Sequence, residues 1–130
     1  MSDGGTLDAY QQSAARTINP ELSDGGTLDA YQQSAARTIN PALDDQQRML
    51  DAAAGLAEEA GEVLGHVRKH VMQQRPLNRD AVVKELGDVL WCLASVATTL
   101  GVSLSEVARV NEEKLRARHP GGFESTSAPT

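Results

Sequence analysis

The sequence predicts an all-α protein of the antiparallel four-helix-bundle type, with two long helices forming a hairpin between a short N-terminal helix and a C-terminal helix. Three observations support this prediction. The core must be built largely from Ala, Leu and Val, because the 130 residues include only one Trp, two Tyr and one Phe. Two long segments repeat apolar residues with the period of a helix, about 3.6 residues. Capping residues and Pro or Gly stop signals separate these segments.

The N-terminal third of the chain is a near-identical duplication. Residues 2–22 and 23–43 differ at one position, where Glu21 corresponds to Ala42. Each copy predicts one short helix that follows a threonine N-cap and ends before Asn-Pro. Solenoid repeats drift in sequence and need several copies to close a core. The pair therefore indicates a recent duplication or an engineered insertion.

Both copies of the short helix would compete for one docking groove. The second copy is continuous with the rest of the chain, so we expect it to dock within a domain of residues 23–123. We expect residues 1–22 to form an extra block that is appended, exchanged or weakly ordered. The polar residues 124–130 are predicted to be a disordered tail.

Capping signals divide the rest of the chain into three helices. Asp44 begins a long helix that ends near Gln74, ahead of a turn containing proline. Asn78 is the N-cap of the second long helix, and Gly101 is its stop signal. A capping box that starts at Ser103 begins the last helix. The short connection between the two long helices predicts that they are antiparallel neighbours.

Charge and composition exclude several classes of function. A net charge of −6 and a pI near 4.9 argue against a nucleic-acid or anionic-membrane partner, because both need a basic surface. The N-terminus has the features of neither a signal peptide nor a membrane span. A single cysteine excludes an internal disulfide and a Cys-based zinc site. We therefore expect a cytoplasmic protein that contacts neither nucleic acid nor membrane.

The two long helices carry the same acidic pattern. The segments that begin at Glu59 and Glu85 both read acid-x-Gly-acid-Val-Leu, 26 residues apart. The i, i+3 spacing of each pair puts both carboxylates on one helix flank. An antiparallel hairpin has an approximate two-fold axis, which brings equivalent flanks of its two helices to the same side. We therefore predict that Glu59, Glu62, Glu85 and Asp88 gather on one side of the hairpin.

Four carboxylates this close repel one another at neutral pH, and a bound cation would offset the repulsion. Ligands that are all oxygen suit Mg²⁺ or Mn²⁺. Two alternatives stay open: the acids could be ordinary solvated charges, or His66 and His70 could create a mixed histidine–carboxylate site. A ferritin-like di-iron site is disfavoured, because Gly65 and Trp91 stand where its histidines belong.

The helical period also predicts which faces of the two long helices pack together. Gly61 and Gly87 lie inside helices, where each costs about 1 kcal/mol relative to alanine. Close helix approach beside the acids would explain that cost. The apolar stripes expected to face each other are Leu56, Ala60, Val63 and Val67 on one helix and Val82, Leu86, Val89 and Leu93 on the other.

Together these motifs resemble those of the MazG-like, all-α nucleoside triphosphate pyrophosphohydrolases. The family pattern is EExxE, then ExxD, then a downstream Asn/Lys element, and the resemblance covers about residues 27–123. In this sequence the matching residues are Glu58, Glu59, Glu62, Glu85, Asp88, Asn111 and Lys114, followed by Arg118. The resemblance implies Mg-dependent hydrolysis of an NTP or dNTP between the α- and β-phosphates, giving a nucleoside monophosphate and pyrophosphate. It suggests a house-cleaning role in the nucleotide pool.

The resemblance also implies roles for individual residues. The Mg²⁺ ligands, with Mn²⁺ as an alternative ion, would be Glu59, Glu62, Glu85 and Asp88. Glu58 would support the site or help to orient the attacking water.

Residues outside the acidic motifs would contact the substrate. Asn111 would bind the nucleoside, and Lys69, Lys114 and Arg118 would neutralise phosphate. Each of these basic residues could equally be a solvated surface charge. Related sequences often carry tyrosine at the position of Cys92, so the preference for base and sugar stays open.

On each helix the acidic pair is separated by a large angle from the apolar stripe. An isolated hairpin would therefore expose the acids to water. We therefore expect a homodimer, or a dimer of dimers, with each site near a subunit interface. The alternative function is a non-catalytic dimeric bundle that binds nucleotide or metal as a regulator. A purely structural helical adaptor is the third possibility.

Overall fold

A computed structural model describes residue 7 and residues 27–123 of the protein. This part of the chain contains no strand and four helices, named here in chain order. They are α1 (Leu28–Ala36), α2 (Asp45–Met72), α3 (Arg79–Leu100) and α4 (Leu104–Arg118). The predicted all-α fold class is therefore confirmed. The extra block of residues 1–22, apart from residue 7, and the tail of residues 124–130 lie outside the described residues.

The predicted caps define the ends of the helices. The Asp44 side chain accepts a hydrogen bond from the backbone N–H three residues on, at 2.8 Å, and a reciprocal bond completes a capping box. Asn78 and Ser103 cap α3 and α4 in the same way, each at 3.1 Å. Gly101 ends α3 with a left-handed φ of 76°, a conformation that glycine adopts without steric cost.

The chain divides into two compact units. Among the described residues, one unit is Gln32–Val102, which contains α2 and α3; the other includes residues 27–31 and 103–123, and contains α4. No single helix among residues 27–123 is long and apolar enough to cross a membrane, although α3 and α4 taken together pass that test by length and composition.

The second copy of the duplicated block makes specific contacts within each unit. The Asp29 carboxylate accepts hydrogen bonds from the backbone N–H and the hydroxyl of Ser105, at 3.0 and 2.8 Å. In the other unit, the Gln32 amide donates to the Thr98 hydroxyl at 3.1 Å and to the Val102 carbonyl at 2.9 Å. These partners lie far along the chain from α1. The Asp29 and Gln32 side chains therefore tie α1 to the rest of the domain.

The two long helices run in opposite directions and pack closely at one point. Moving forward along α2, its contacts with α3 move backward, from Cys92 at Gly55 to Glu85 at His66. A Cβ atom placed on Gly55 would lie 2.9 Å from the Cys92 sulfur, closer than two such atoms approach in folded proteins. Gly55 is therefore the glycine that permits close packing of α2 and α3.

The expected close approach at Gly61 and Gly87 is wrong within the described chain. A Cβ atom at either position would meet nothing within 4 Å. The apolar stripes predicted for the two long helices are also wrong in part. Leu56 and Val63 are half-buried as expected, but Ala60, Val67 and Leu86 are exposed. The contact face of α2 is rotated toward the line of residues that includes Gly55, because the tight contact with Cys92 lies there.

The packing at Gly55 predicts opposite effects of two glycine-to-alanine substitutions in α2. Gly55→Ala should lower the free energy of unfolding, because overpacking against Cys92, about 1–3 kcal/mol, exceeds the helix-propensity gain of roughly 1 kcal/mol. Gly65→Ala, where a Cβ meets open space, should raise it by about 1 kcal/mol. Urea unfolding measures both. Adding Cys92→Ala to Gly55→Ala should recover part of the loss; equal stabilisation by both alanines would contradict the packing.

Candidate metal centre

Three carboxylates converge where α2 faces α3. One oxygen from each of Glu59, Glu85 and Asp88 lies within 4.8 Å of the other two. Glu59 and Glu85 are half-buried, and Asp88 is exposed. Because oxygen atoms this close can bind one small cation together, the three side chains form a candidate metal centre. We call them the acid cluster.

The tight helix contact lies directly beside the acid cluster. Gly55 is one turn before Glu59 on α2, and Cys92 is one turn after Asp88 on α3. Side chains four residues apart lie on the same face of a helix. The contact between Gly55 and Cys92 therefore holds α2 and α3 close together at the level where the acids must meet.

The electrostatics of the acid cluster indicate strong mutual repulsion. A hydrogen bond with the Glu85 carboxyl raises the pKa of Glu59, as do partial burial and the negative charges of Asp88, Glu85 and Glu62. A hydrogen bond between two carboxyl groups requires a proton on one of them. The raised pKa therefore favours a proton on Glu59 in the metal-free protein, and a divalent cation is the group that would replace it.

The remaining acidic and basic residues predicted on α2 lie outside the acid cluster. Glu62 is exposed and is not one of the three converging ligands, but its charge contributes to the raised pKa of Glu59. Glu58 is exposed, and so is Lys69 near the end of α2. The structure thus brings three of the four predicted ligands together and leaves Glu62 beside them.

The two histidines near the acids are in different surroundings. The Nε2 atom of His66 lies 3.8 Å from a carboxylate oxygen of Glu85, which forms an ion pair when the histidine is protonated. His70 lies at the end of α2, where its Nδ1 is 2.6 Å from the backbone carbonyl of Arg75. Spacing along α2 alone could not reveal the His66 contact with Glu85, because Glu85 lies on α3.

The predicted substrate-binding residues on α4 share one face of that helix. Asn111, Lys114 and Arg118 are spaced i, i+3 and i+7, which aligns them along α4. Asn111 is half-buried, and the two basic side chains are exposed. Because α4 belongs to the other compact unit, the roles of these residues toward the acid cluster stay a prediction.

Cys92 packs as a small apolar residue. The side chain is buried, and its pKa is raised by that burial and by the negative charges of Glu59, Asp88, Asp51 and Glu58. Burial and nearby anions both disfavour the thiolate. The Cys92 thiol is therefore held protonated, which is unsuited to a nucleophile.

Comparison with known proteins identifies the family. Residues 47–123 match the MazG nucleotide pyrophosphohydrolase domain, which is more than half of the chain, and the chain belongs to this family. The matched segment includes the acid cluster and all of α3 and α4. The family resemblance seen in the sequence is therefore confirmed.

Two relatives share similar segments with this chain. Gene 37 protein of Mycobacterium phage L5 is 40% identical over 72 residues, which cover 52% of this chain and 63% of that protein. Uncharacterized protein YvdC of Bacillus subtilis (strain 168) is 35% identical over 72 residues, covering 48% of this chain and 68% of that protein. The chain thus spans less than two thirds of the phage protein. No solved structure matches the chain closely.

The raised pKa of Glu59 predicts how metal-free stability depends on pH. The folded state keeps a proton on Glu59 that the unfolded chain releases above its usual pKa of 4.5. Unfolding then releases a proton, so the stability of the metal-free protein should fall as pH rises from about 4.5 through the raised pKa. Glu59→Gln removes this group and should make the metal-free protein more stable than the wild type at neutral pH.

Thermal unfolding in EDTA across pH 4–8 checks this expectation. Asp51→Asn is the matched control, because Asp51 is an exposed acid on the same helix and outside the acid cluster. It should leave the pH dependence unchanged. If the stability of the wild-type protein rises steadily between pH 5 and 8, repulsion in the acid cluster does not contribute significantly to the pH dependence of stability.

Proposed function

We propose that this protein hydrolyses nucleoside triphosphates, or deoxynucleoside triphosphates, between the α- and β-phosphates to give a nucleoside monophosphate and pyrophosphate. The observation that carries the proposal is the convergence of Glu59, Glu85 and Asp88 within a MazG domain. We further propose that the reaction depends on Mg²⁺, with Mn²⁺ as a substitute, and serves to remove surplus or non-standard nucleotides.

The donor set of the acid cluster fits a hard divalent cation. All three converging ligand atoms are carboxylate oxygens, and the charge of Glu62 also acts on Glu59. Mg²⁺ and Mn²⁺ prefer such ligands. When bound, the ion would polarise phosphoryl oxygens, lower the pKa of a bound water and offset charge on the leaving pyrophosphate.

The residues of this chain would bind and orient the substrate. Glu58, next to Glu59 on α2, would accept a hydrogen bond from the attacking water or support a ligand carboxylate. Lys114 and Arg118 on α4 would neutralise the phosphates, and Asn111 would contact the nucleoside. Their common helix face supports this assignment, as does the need of an acidic protein for local positive charge where an anionic substrate binds.

Loss of a ligand carboxylate should abolish most of the activity. Pyrophosphate release from a panel of NTPs and dNTPs should require Mg²⁺ or Mn²⁺. Glu59→Gln and Asp88→Asn should each lower kcat/KM by a factor on the order of 100 or more, while Asp51→Asn, away from the cluster, should retain activity. Metal-dependent nucleotide binding without turnover in the wild type would favour the regulatory alternative, and absence of both would leave a structural role.

The assignment of α4 predicts a different kinetic effect. Lys114→Ala should raise KM for the triphosphate about tenfold or more, because one charge-assisted contact to phosphate is lost. Arg116→Ala is the control, since Arg116 is an exposed basic residue on the same helix but at a different angle. Steady-state kinetics at saturating Mg²⁺ separates KM from kcat. Equal effects of the two substitutions would indicate general electrostatics and contradict a specific role for Lys114.

A further inference from the structure

The connection between α2 and α3 is a strongly basic end of the hairpin. Residues 68–79 contain four of the 12 Lys and Arg residues of the chain and none of its 18 Asp and Glu residues. We call this segment the hairpin tip. It carries four positive charges in a chain whose net charge is −6. The four cations are Arg68, Lys69, Arg75 and Arg79.

The cations of the hairpin tip have no acidic partner in the described part of the chain. All four residues are exposed, and none of them forms an ion pair with another described residue. Arg109 on α4, by contrast, pairs with Glu106 and Glu113. The positive charge of the hairpin tip is therefore available to an external partner.

Most of the negative charge of the hairpin is too distant to cancel this positive charge. Glu62 and Glu85 each lie six residues from an end of the hairpin tip, which is about 9 Å along the helix. That distance is already about one Debye length at physiological ionic strength. Asp80 is closer, in the first turn of α3, where the helix macrodipole favours an acid. The hairpin tip therefore keeps a positive local potential in an acidic protein.

Exposed apolar side chains accompany the cations of the hairpin tip. The exposed fractions are 62% for Val71, 75% for Met72 and 44% for Leu77. Val71 and Met72 end α2, and Leu77 lies in the turn that follows, so all three are at the end of the hairpin. Apolar side chains flanked by Lys and Arg are typical of segments that lie in the interface of a bilayer.

Hydrogen bonds within the hairpin tip fix the turn. His70 donates from Nδ1 to the backbone carbonyl of Arg75 at 2.6 Å, and the Arg75 N–H donates to the Lys69 carbonyl at 3.4 Å. Pro76 restricts the backbone further. A turn that is fixed in advance loses less conformational entropy when it binds a partner.

We propose that the hairpin tip is a docking surface for an anionic lipid bilayer. Val71, Met72 and Leu77 enter the bilayer interface, where they leave water, and the four cations contact lipid phosphates. The expectation of no membrane contact was drawn from the net charge of the whole chain. Net charge does not report a local concentration of positive charge, and a local patch is what a bilayer surface meets.

Two features of the hairpin tip favour a bilayer over other anionic partners. A nucleic acid offers phosphates but no apolar environment for Val71 and Met72, and residues 68–79 contain no Phe, Tyr or Trp on which a base can stack. The end of a helical hairpin is also convex. A fluid bilayer surface accommodates a convex end directly, whereas an acidic protein would need a cavity of matching shape.

Vesicle binding by the full chain tests the proposal. The protein should co-sediment with phosphatidylcholine vesicles that contain about 30% phosphatidylglycerol, and should not bind vesicles of phosphatidylcholine alone. Raising the salt concentration from about 0.1 M to about 1 M should weaken the binding about tenfold or more, because salt screens the charges. Absence of binding to the anionic vesicles, or equal binding to both kinds of vesicle, would overturn the proposal.

Matched charge variants test whether the hairpin tip is the contact surface. Arg75→Glu and Arg79→Glu should each weaken binding to anionic vesicles about tenfold or more, and the milder Arg75→Gln about fivefold. Arg116→Glu changes the net charge as much as Arg75→Glu does, but Arg116 lies on α4, so this variant should bind like the wild type. Equal losses in the tip variants and in Arg116→Glu would overturn the assignment. Circular dichroism checks that each variant keeps its helix content.

The apolar side chains are tested by a second matched pair. Met72→Ser should weaken vesicle binding about fivefold or more, because less apolar surface leaves water. Leu100→Ser is the control, since Leu100 is an exposed apolar residue at the opposite end of α3, and it should have no effect. If Met72→Ser binds like the wild type and duplex DNA is bound as tightly as the vesicles, the partner is nucleic acid and the proposal is wrong. No nucleotide is present in these experiments, so their outcome is independent of the proposed hydrolysis.

Discussion

Crowding of negative charge between α2 and α3 is the constraint on which the rest of this structure depends. Glu59, Glu85 and Asp88 approach closely enough that the pKa of Glu59 is raised. Like charges at this distance oppose packing of the helices that carry them. The tight contact of Gly55 with Cys92, one turn away, opposes that repulsion by holding the helices together. The hairpin is thus arranged so that a cation would relieve a strain that the packing imposes.

This arrangement explains why Cys92 is both small and buried. A larger side chain at this position would collide with α2 beside Gly55. The same location surrounds the thiol with acids, which raises its pKa. Packing at the centre of the hairpin and chemistry at the acid cluster therefore depend on the same few residues. The local geometry thus explains why the three acids can meet.

Much of the fold and part of the site could be predicted from the sequence. Caps at Asp44, Asn78 and Ser103 are short-range signals, and each marks a helix end in the structure. The convergence of the acids followed from one pattern present on both helices and the two-fold relation of a hairpin. These predictions succeed because they need only local chemistry and simple symmetry.

The predictions that failed depended on knowing which face of α2 packs against α3. α2 carries apolar residues on two flanks, and periodicity alone cannot tell which flank meets α3. Ala60 and Val67 were therefore assigned to the hairpin core, although both are exposed. The same ambiguity affects glycine: Gly55, Gly61 and Gly65 look alike in sequence, and only the tertiary contact with Cys92 distinguishes Gly55.

The most direct test of a metal centre is crystallographic. Crystals of the protein soaked in Mn²⁺ should show an anomalous-scattering peak at the acid cluster, about 2.0–2.2 Å from carboxylate oxygens of Glu59, Glu85 and Asp88. The peak should vanish in Glu59→Gln crystals grown and soaked in the same way. An ordered cluster without a peak, or a peak bound only by residues elsewhere in the chain, would contradict the assignment of these three acids as metal ligands.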